Sequence, residues 1–263
     1  LDCITKVTRD IMQQDTFQEI TTDCLPLDGE KSHREQRSIP GETVVALFVN
    51  GRHAATTLLS PGSLEEYTTG YLFAEEIIRR PEDIESIRIE ENRISVLTKN
   101  PFRITGRRRT ILAGCGGSTS YIDTASLPSI ESDYRVSSSL LTSLSSQTCS
   151  PEHGIETAVL AGNDGIIAWY ADIDCTSAVD RAIGSALLKQ TDFSRTCLVI
   201  SGLVTSEMVR RCLLAGIPVI GSIRAATTLA VRIAAEQHLS VAGFLTDDNL
   251  CLFTHPERIR GSG

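Results

Sequence analysis

Residues 197–222 read CLVISGLVTSEMVRRCLLAGIPVIGS. Two short apolar runs, Cys197-Leu198-Val199-Ile200 and Ile217-Pro218-Val219-Ile220, bracket a segment from about Ser206 to Leu214 that ends at Ala215-Gly216. Apolar runs of this length, bounded by turn residues, predict buried strands, and the segment between them predicts a helix. The pattern continues downstream. Gly221-Ser222 leads to a helix from Thr227 to about Gln237, then to a strand at Val241-Ala242-Gly243-Phe244-Leu245 and a last strand at Leu250 to Thr254. Strands alternating with helices at this spacing argue for a parallel sheet with helices on both faces.

Working upstream, Ala158 to Ala161 and Ile166 to Tyr170 flank Asn163-Asp164-Gly165, a hairpin signal. A helix follows, carrying Ala178, Val179, Ala182, Ile183, Ala186 and Leu187, with Ser177 and Asp180 spaced as a capping box. The serine-rich stretch 118–150 reads as a linker, with a short helix near 137–147 where Leu140, Leu141 and Leu144 share a face. Thr43 to Val49 and Arg52 to Leu59 flank Asn50-Gly51, whose residue types suit the positive φ of a type I′ turn. Ser63 with Glu66 starts a helix that Pro81 stops, and two short strands follow at Ile84–Ile89 and Ile94–Leu97. The expected organisation is an N-terminal arm over 1–42, a mixed β-β-α-β-β region over 43–115, a linker over 116–150 and an α/β domain over 151–260.

The 263 residues carry a formal net charge of −8, which argues against nucleic-acid partners. No apolar run reaches the ~20 residues that span a bilayer, and the first residues lack a signal-peptide pattern. Eight cysteines are scattered without a Cys-x-x-Cys pair, so neither a disulfide framework nor a zinc ribbon is expected. A cytoplasmic protein with reduced thiols and no metal site fits these facts. Cys197, Cys212 and Cys251 read as core residues.

Cys115 has the setting of a reactive thiol. Arg107, Arg108 and Arg109 precede it, and Gly114, Gly116 and Gly117 flank it. Positive charge favours the thiolate, which is the nucleophile. Glycine lets a ligand approach the main chain, and the same three glycines predict a loop that is mobile without a partner. An ordinary glycine turn beside solvated arginines is the alternative reading. In open α/β sheets ligands bind beyond the carboxyl ends of the strands. Here those ends are Asp172, Ser201-Gly202 and Gly221-Ser222, and the helix beginning near Ser206 offers backbone N–H groups to an anion. The dinucleotide and P-loop fingerprints are absent.

With those residues in view, the chain resembles the formate dehydrogenase accessory sulfurtransferase family (FdhD/NarQ) over about residues 43–255. The resemblance rests on Val49-Asn50-Gly51, on Ser60-Pro61-Gly62-Ser63-Leu64-Glu65-Glu66 with Gly70-Tyr71-Leu72, and on the Cys115 loop. It continues through Asp172 with Ala178-Val179-Asp180-Arg181, Ser201-Gly202 with Ser206-Glu207, Ala215 to Val219, Thr227 to Val231, and Gly243-Phe244-Leu245. It implies a homodimer with a cytidine-deaminase-like α/β domain lacking zinc. It also implies transfer of sulfur, through a persulfide on Cys115, from a cysteine desulfurase to the molybdenum cofactor of formate dehydrogenase. The crevice residues Gly116, Gly117, Asp172, Ser201, Gly202, Ser206, Gly221 and Ser222 would then face the bis-guanine-dinucleotide form of that cofactor, or a guanine nucleotide, as a ligand that is not permanently bound. The family's usual second loop cysteine is Ser118 here, its histidine is Glu156, the arginine of its Ser-Gly-Arg is Leu203, and its proline before Thr-Ser is Ala226. A binding module without sulfur chemistry is the alternative, and Cys175 is a candidate relay thiol.

Overall fold

The structure, a computed structural model, describes residues 19–24, 27–28, 31–32, 34–100, 109–111, 118–120, 126–148, 154–246 and 249–261. Strands β1 (Thr43–Val49) and β2 (Arg52–Leu59) form the expected hairpin, with Asn50 and Gly51 at φ 50° and 76°. Helix α1 (Leu64–Ala74) and strands β3 (Ile84–Glu90) and β4 (Arg93–Thr98) complete a four-stranded sheet in the order β2-β1-β4-β3. Strands β1 and β4 run parallel; the other neighbours are antiparallel. Val45, Leu47 and Val49 alternate inward from β1 and meet Tyr67 and Leu72 of α1.

Helix α1 starts where expected, with Ser63 at its N-cap, but differs in how it is capped and in where it ends. Ser63 has a left-handed backbone (φ 44°), and its side chain makes no capping hydrogen bond. The helix stops at Ala74, well before Pro81. Glu76 turns left-handed (φ 53°), and the amides of Ile77 and Ile78 both donate back to Leu72 O at 2.8 and 3.2 Å. That turn buries Ile77 and Ile78 in the same core that a longer helix would have used.

Helix α2 (Ser138–Ser145) lies within the serine-rich stretch, capped by Ser137 Oγ, which accepts from Leu140 N at 3.1 Å. The second sheet has six strands: β5 (Glu156–Gly162), β6 (Gly165–Asp172), β7 (Thr196–Ile200), β8 (Val219–Ser222), β9 (Ser240–Gly243) and β10 (Cys251–Thr254). Its order is β6-β5-β7-β8-β9-β10. The expected parallel sheet is realised in β7, β8 and β9, while β5 is antiparallel to both β6 and β7, and β10 is antiparallel to β9. A two-residue turn joins β5 to β6, and so short a connection permits only antiparallel pairing.

Helices α3 (Cys175–Leu188), α4 (Ser206–Ala215) and α5 (Thr228–Glu236) all bury their apolar side chains on one face of this sheet; the opposite face is covered by α2. Strands β7, β8 and β9 are laid down in one direction, and right-handed crossovers then put α4 and α5 on the same side. The cap of α3 is Asp174, not Ser177: its Oδ1 accepts from Ser177 N at 3.0 Å. Of the cysteines read as core, Cys197 and Cys212 are fully buried, whereas Cys251 is exposed on edge strand β10.

Helix α1 lies between the two sheets' layers and crosses α3 at Gly70 and Gly184. A buried ionic network fixes this junction. Arg211 Nε donates to Asp180 Oδ1 at 2.7 Å, Arg210 donates to Glu207 Oε1 at 2.7 Å, and Arg210 also reaches Glu75 Oε1 (3.3 Å) and the carbonyl of Ala74. Within 1–42, Glu19–Cys24 pairs antiparallel with Glu35–Pro40, with the β-branched Ile20 and Ile39 opposite each other. No helix among the described residues is long and apolar enough to cross a membrane.

Candidate functional site

One end of the six-stranded sheet gathers the polar groups. Strands β6, β7, β8 and β9 all finish there, and the antiparallel β5 begins there at Glu156. The loops leaving β7 and β8 pair with each other. Val204 N donates to Ala225 O (3.1 Å), and Thr227 N donates to Val204 O (2.9 Å). The helix starts capped by Thr205 and Thr227 therefore lie side by side, with two positive dipole ends toward the same crevice.

Ser201 Oγ donates to Glu156 Oε2 at 2.5 Å and accepts from Thr157 N at 2.7 Å. Arg224, its side chain 60% exposed, meets the other carboxylate oxygen of Glu156 at 3.3 Å. Ser222 Oγ donates to Gly202 O at 2.6 Å and accepts from Arg224 N at 2.8 Å, locking the two loops together. Gly202 is required by packing: a Cβ there would fall 2.7 Å from Cys175 Sγ. Burial pushes the Cys175 thiol up to about 12, with the Glu156 carboxylate adding to the rise, so it stays protonated at neutral pH.

Asp172 is elsewhere engaged. It is fully buried, accepting from Arg181 Nε (2.6 Å), Ser60 N (2.9 Å) and Ile173 N (2.7 Å). Arg181 in turn donates to the carbonyls of Ser60 and Gly62. Burial raises the Asp172 carboxyl while Arg181 opposes the rise. This pair pins the Ser60-Pro61-Gly62 loop to the second sheet and offers no polar atom to a ligand. Gly221 also faces away from the crevice, since a Cβ on it would meet Leu245 Cδ1 at 2.7 Å. Of the expected crevice residues, then, the structure brings together Ser201, Gly202 and Ser222, with Ser206 on the first turn of α4. Cys115, Gly116 and Gly117 lie outside the described residues, as does the expected mobility of that loop. Arg109–Ile111 pairs antiparallel with Ser118–Ser120 on either side of it.

Two further residues at this crevice were not among the expected site residues. Arg224 stands two residues past the end of β8, a placement visible in the sequence only once that strand end is fixed. Phe244 follows β9 with a left-handed backbone (φ 54°); the residue is 48% exposed, and its ring is tilted against Phe253 at 6.3 Å. A phenylalanine held in that region is strained, and such strain concentrates at functional sites. Its amide donates to Arg224 O at 2.8 Å, so the cation and the aromatic ring sit on hydrogen-bonded loops. Among the described residues no group of His, Cys, Asp and Glu side chains could hold a metal ion.

The sequence pattern of the FdhD/NarQ family matches residues 40–260. The chain belongs to the FdhD/NarQ family. It is 30% identical over 242 residues to the sulfur carrier protein FdhD of Sulfolobus acidocaldarius, covering 88% of this chain and 94% of that one. The FdhD protein of Staphylococcus haemolyticus is 28% identical over 238 residues, covering 84% and 89%. In fold, this FdhD/NarQ member is similar to the crystal structure of a formate dehydrogenase accessory protein from Desulfotalea psychrophila, with TM-score 0.76 and 21% identity over 92% of this chain and 99% of that one.

Proposed function

We propose that this FdhD/NarQ protein is a sulfur carrier serving formate dehydrogenase, loaded as a persulfide on Cys115. The observation that carries the reading is its near full-length similarity to proteins named sulfur carrier FdhD. The Cys115 thiolate attacks the terminal sulfur of a cysteine desulfurase persulfide. A new sulfur–sulfur bond forms at Cys115, the donor's sulfur–sulfur bond breaks, and the desulfurase leaves as a thiolate. The Cys115 sulfur–sulfur bond then breaks, Cys115 leaves as a thiolate, and the outer sulfur passes to the molybdenum cofactor, which is substrate here and, in its reduced form, would supply the two electrons that bring that sulfur to the sulfide level. Burial holds the Cys175 thiol protonated, so it is given no part in this transfer.

The crevice suits an anionic, heteroaromatic substrate such as a guanine-nucleotide-bearing molybdopterin. Arg224 and the first turns of α4 and α5 supply positive charge, and Phe244 supplies an exposed ring for stacking. Ser201, Gly202 and Ser222 act by holding these loops in place. The same reading includes a cytoplasmic homodimer, supported by the exposed Leu252 and Phe253 on edge strand β10. Sedimentation at a monomer mass at micromolar concentration would count against the dimer.

Intact-mass analysis after incubation with a cysteine desulfurase and cysteine tests the central claim. The expected result is a gain of one sulfur atom that Cys115→Ala abolishes. No gain, or the same gain in the variant, would leave only a binding role.

A further inference from the structure

Strand β3 is an edge strand: among the described residues it pairs with β4 alone. A groove of about 300 Å³ opens there, between the inner face of β3 and the residues Glu65 and Thr69 of α1 and Leu188 at the end of α3. Its apolar wall is Ile84, Ile87 and Ile89, and both Ile89 (45%) and Leu188 (41%) are substantially exposed.

Thr69 sets this groove apart from a packing defect. The residue is fully buried, yet its hydroxyl has no hydrogen-bond partner. The adjacent Thr68 makes the ordinary helical bond to Leu64 O, at 2.6 Å. A buried hydroxyl without a partner is unfavourable unless something supplies one.

We propose that this groove receives an extended segment of a partner protein, rich in alternating apolar and basic residues, added as a fifth strand along β3. An open edge offers a row of backbone N–H and C=O groups, and side chains alternating inward from an added strand would enter the groove below. Charge selects the partner. Glu65 lines the groove and Glu85 is exposed on β3, while the one cation of the strand's exposed face, Arg88, is paired with Glu90 at 2.9 Å. Glu65 is the one charged residue among the groove's described lining, and on a chain of net charge −8 it favours a basic segment over a second copy of this chain. The inference is independent of the sulfur-carrier reading.

The test uses the full chain and three acetylated ten-residue peptides: alternating valine and lysine, the same sequence N-methylated along one backbone edge, and alternating valine and glutamate. The valine–lysine peptide should bind saturably below about 1 mM, the weak end of specific association, and slow amide exchange across 84–90. Ile89→Glu, at an exposed position, should weaken binding at least about tenfold. Thr69→Val should weaken it severalfold while leaving the melting temperature unchanged or higher, because it deletes an unpartnered hydroxyl. Equal binding of the N-methylated or glutamate peptide would overturn the proposal. So would no binding up to that concentration, or a dimer that Ile89→Glu converts to monomer, which would identify a second copy as the occupant.

Discussion

Gly184 of α3 lies against the backbone of α1 so closely that a Cβ on it would sit 1.9 Å from the carbonyl oxygen of Glu66 and 2.7 Å from the amide nitrogen of Gly70. A Cβ on Gly70 would in turn fall 1.8 Å from Asp180 O. Main chain, not a flexible side chain, occupies the space, so the two layers can accept a methyl group only by moving apart. Gly184→Ala and Gly70→Ala should each destabilise the fold by about 3 kcal/mol or more, the upper end for overpacking. Urea denaturation reads this directly; a loss below about 1 kcal/mol would mean the helices slide freely.

The ionic network at the same junction makes stability depend on pH in two opposed ways. Burial raises the Asp180 carboxyl to about 6 despite Arg211. An unfolded aspartate titrates near 4, at roughly 3.9. Between these values the native state holds a proton that the unfolded chain has released, so the contribution of Asp180 falls as pH rises from about 4 to about 6. For Glu207, burial acts upward, but Arg211 and Arg210 outweigh it and bring the group to about 2. Its contribution is present above about 4 and is lost as pH falls toward 2. The stability of the wild type relative to Asp180→Asn should therefore drop by about 3 kcal/mol between pH 4 and pH 6. A pH-independent difference would contradict the assignment.

Thiol accessibility divides the cysteines. Cys251 is exposed, Cys197 and Cys212 are buried, and the sulfur of Cys175 is packed on Gly202. Burial pushes the Cys197 thiol up to about 12, as it does for Cys175. Brief iodoacetamide treatment of the native protein at neutral pH should label Cys251 and spare Cys175, Cys197 and Cys212, as read by peptide mapping. Early labelling of Cys175 would revive it as a relay thiol.

Glu156, 3.3 Å from Arg224, competes with a bound phosphate for that cation. Arg224→Ala should weaken binding of guanosine diphosphate about tenfold, the scale of one charge-assisted contact on an exposed side chain. Glu156→Gln should strengthen it, since it frees Arg224 and removes a carboxylate from the crevice. Isothermal titration distinguishes these signs; equal affinities in all three proteins would remove the arginine from the site.

Phe244 tests the stacking role separately from charge. Phe244→Leu should lower affinity for guanosine diphosphate severalfold and leave binding of inorganic pyrophosphate unchanged, because only the base meets the ring. A parallel loss for both ligands would mean that Phe244 only supports the Arg224 loop.

Much of this molecule was determined by local sequence. The positive φ of Asn50 and Gly51 follows from their residue types, and the alternation of Cys197–Ile200, α4 and Ile217–Ile220 follows from apolar period and length. These are properties of neighbours along the chain, and they suffice to place the ends of strands and so the end of the sheet where a crevice lies. What each strand-end residue does there was decided by partners far away in sequence. Asp172 is consumed by Arg181 and by the amide of Ser60, 112 residues earlier. Glu156 meets Ser201 across 45 residues, and Gly221 is filled from above by Leu245. The early end of α1 likewise follows from the burial of Ile77 and Ile78 against a sheet with two strands before the helix and two after it. Turn chemistry and periodicity act over a few residues, whereas a charge or a glycine acquires its role from whatever the chain brings within a few ångströms of it, and only the folded packing specifies that.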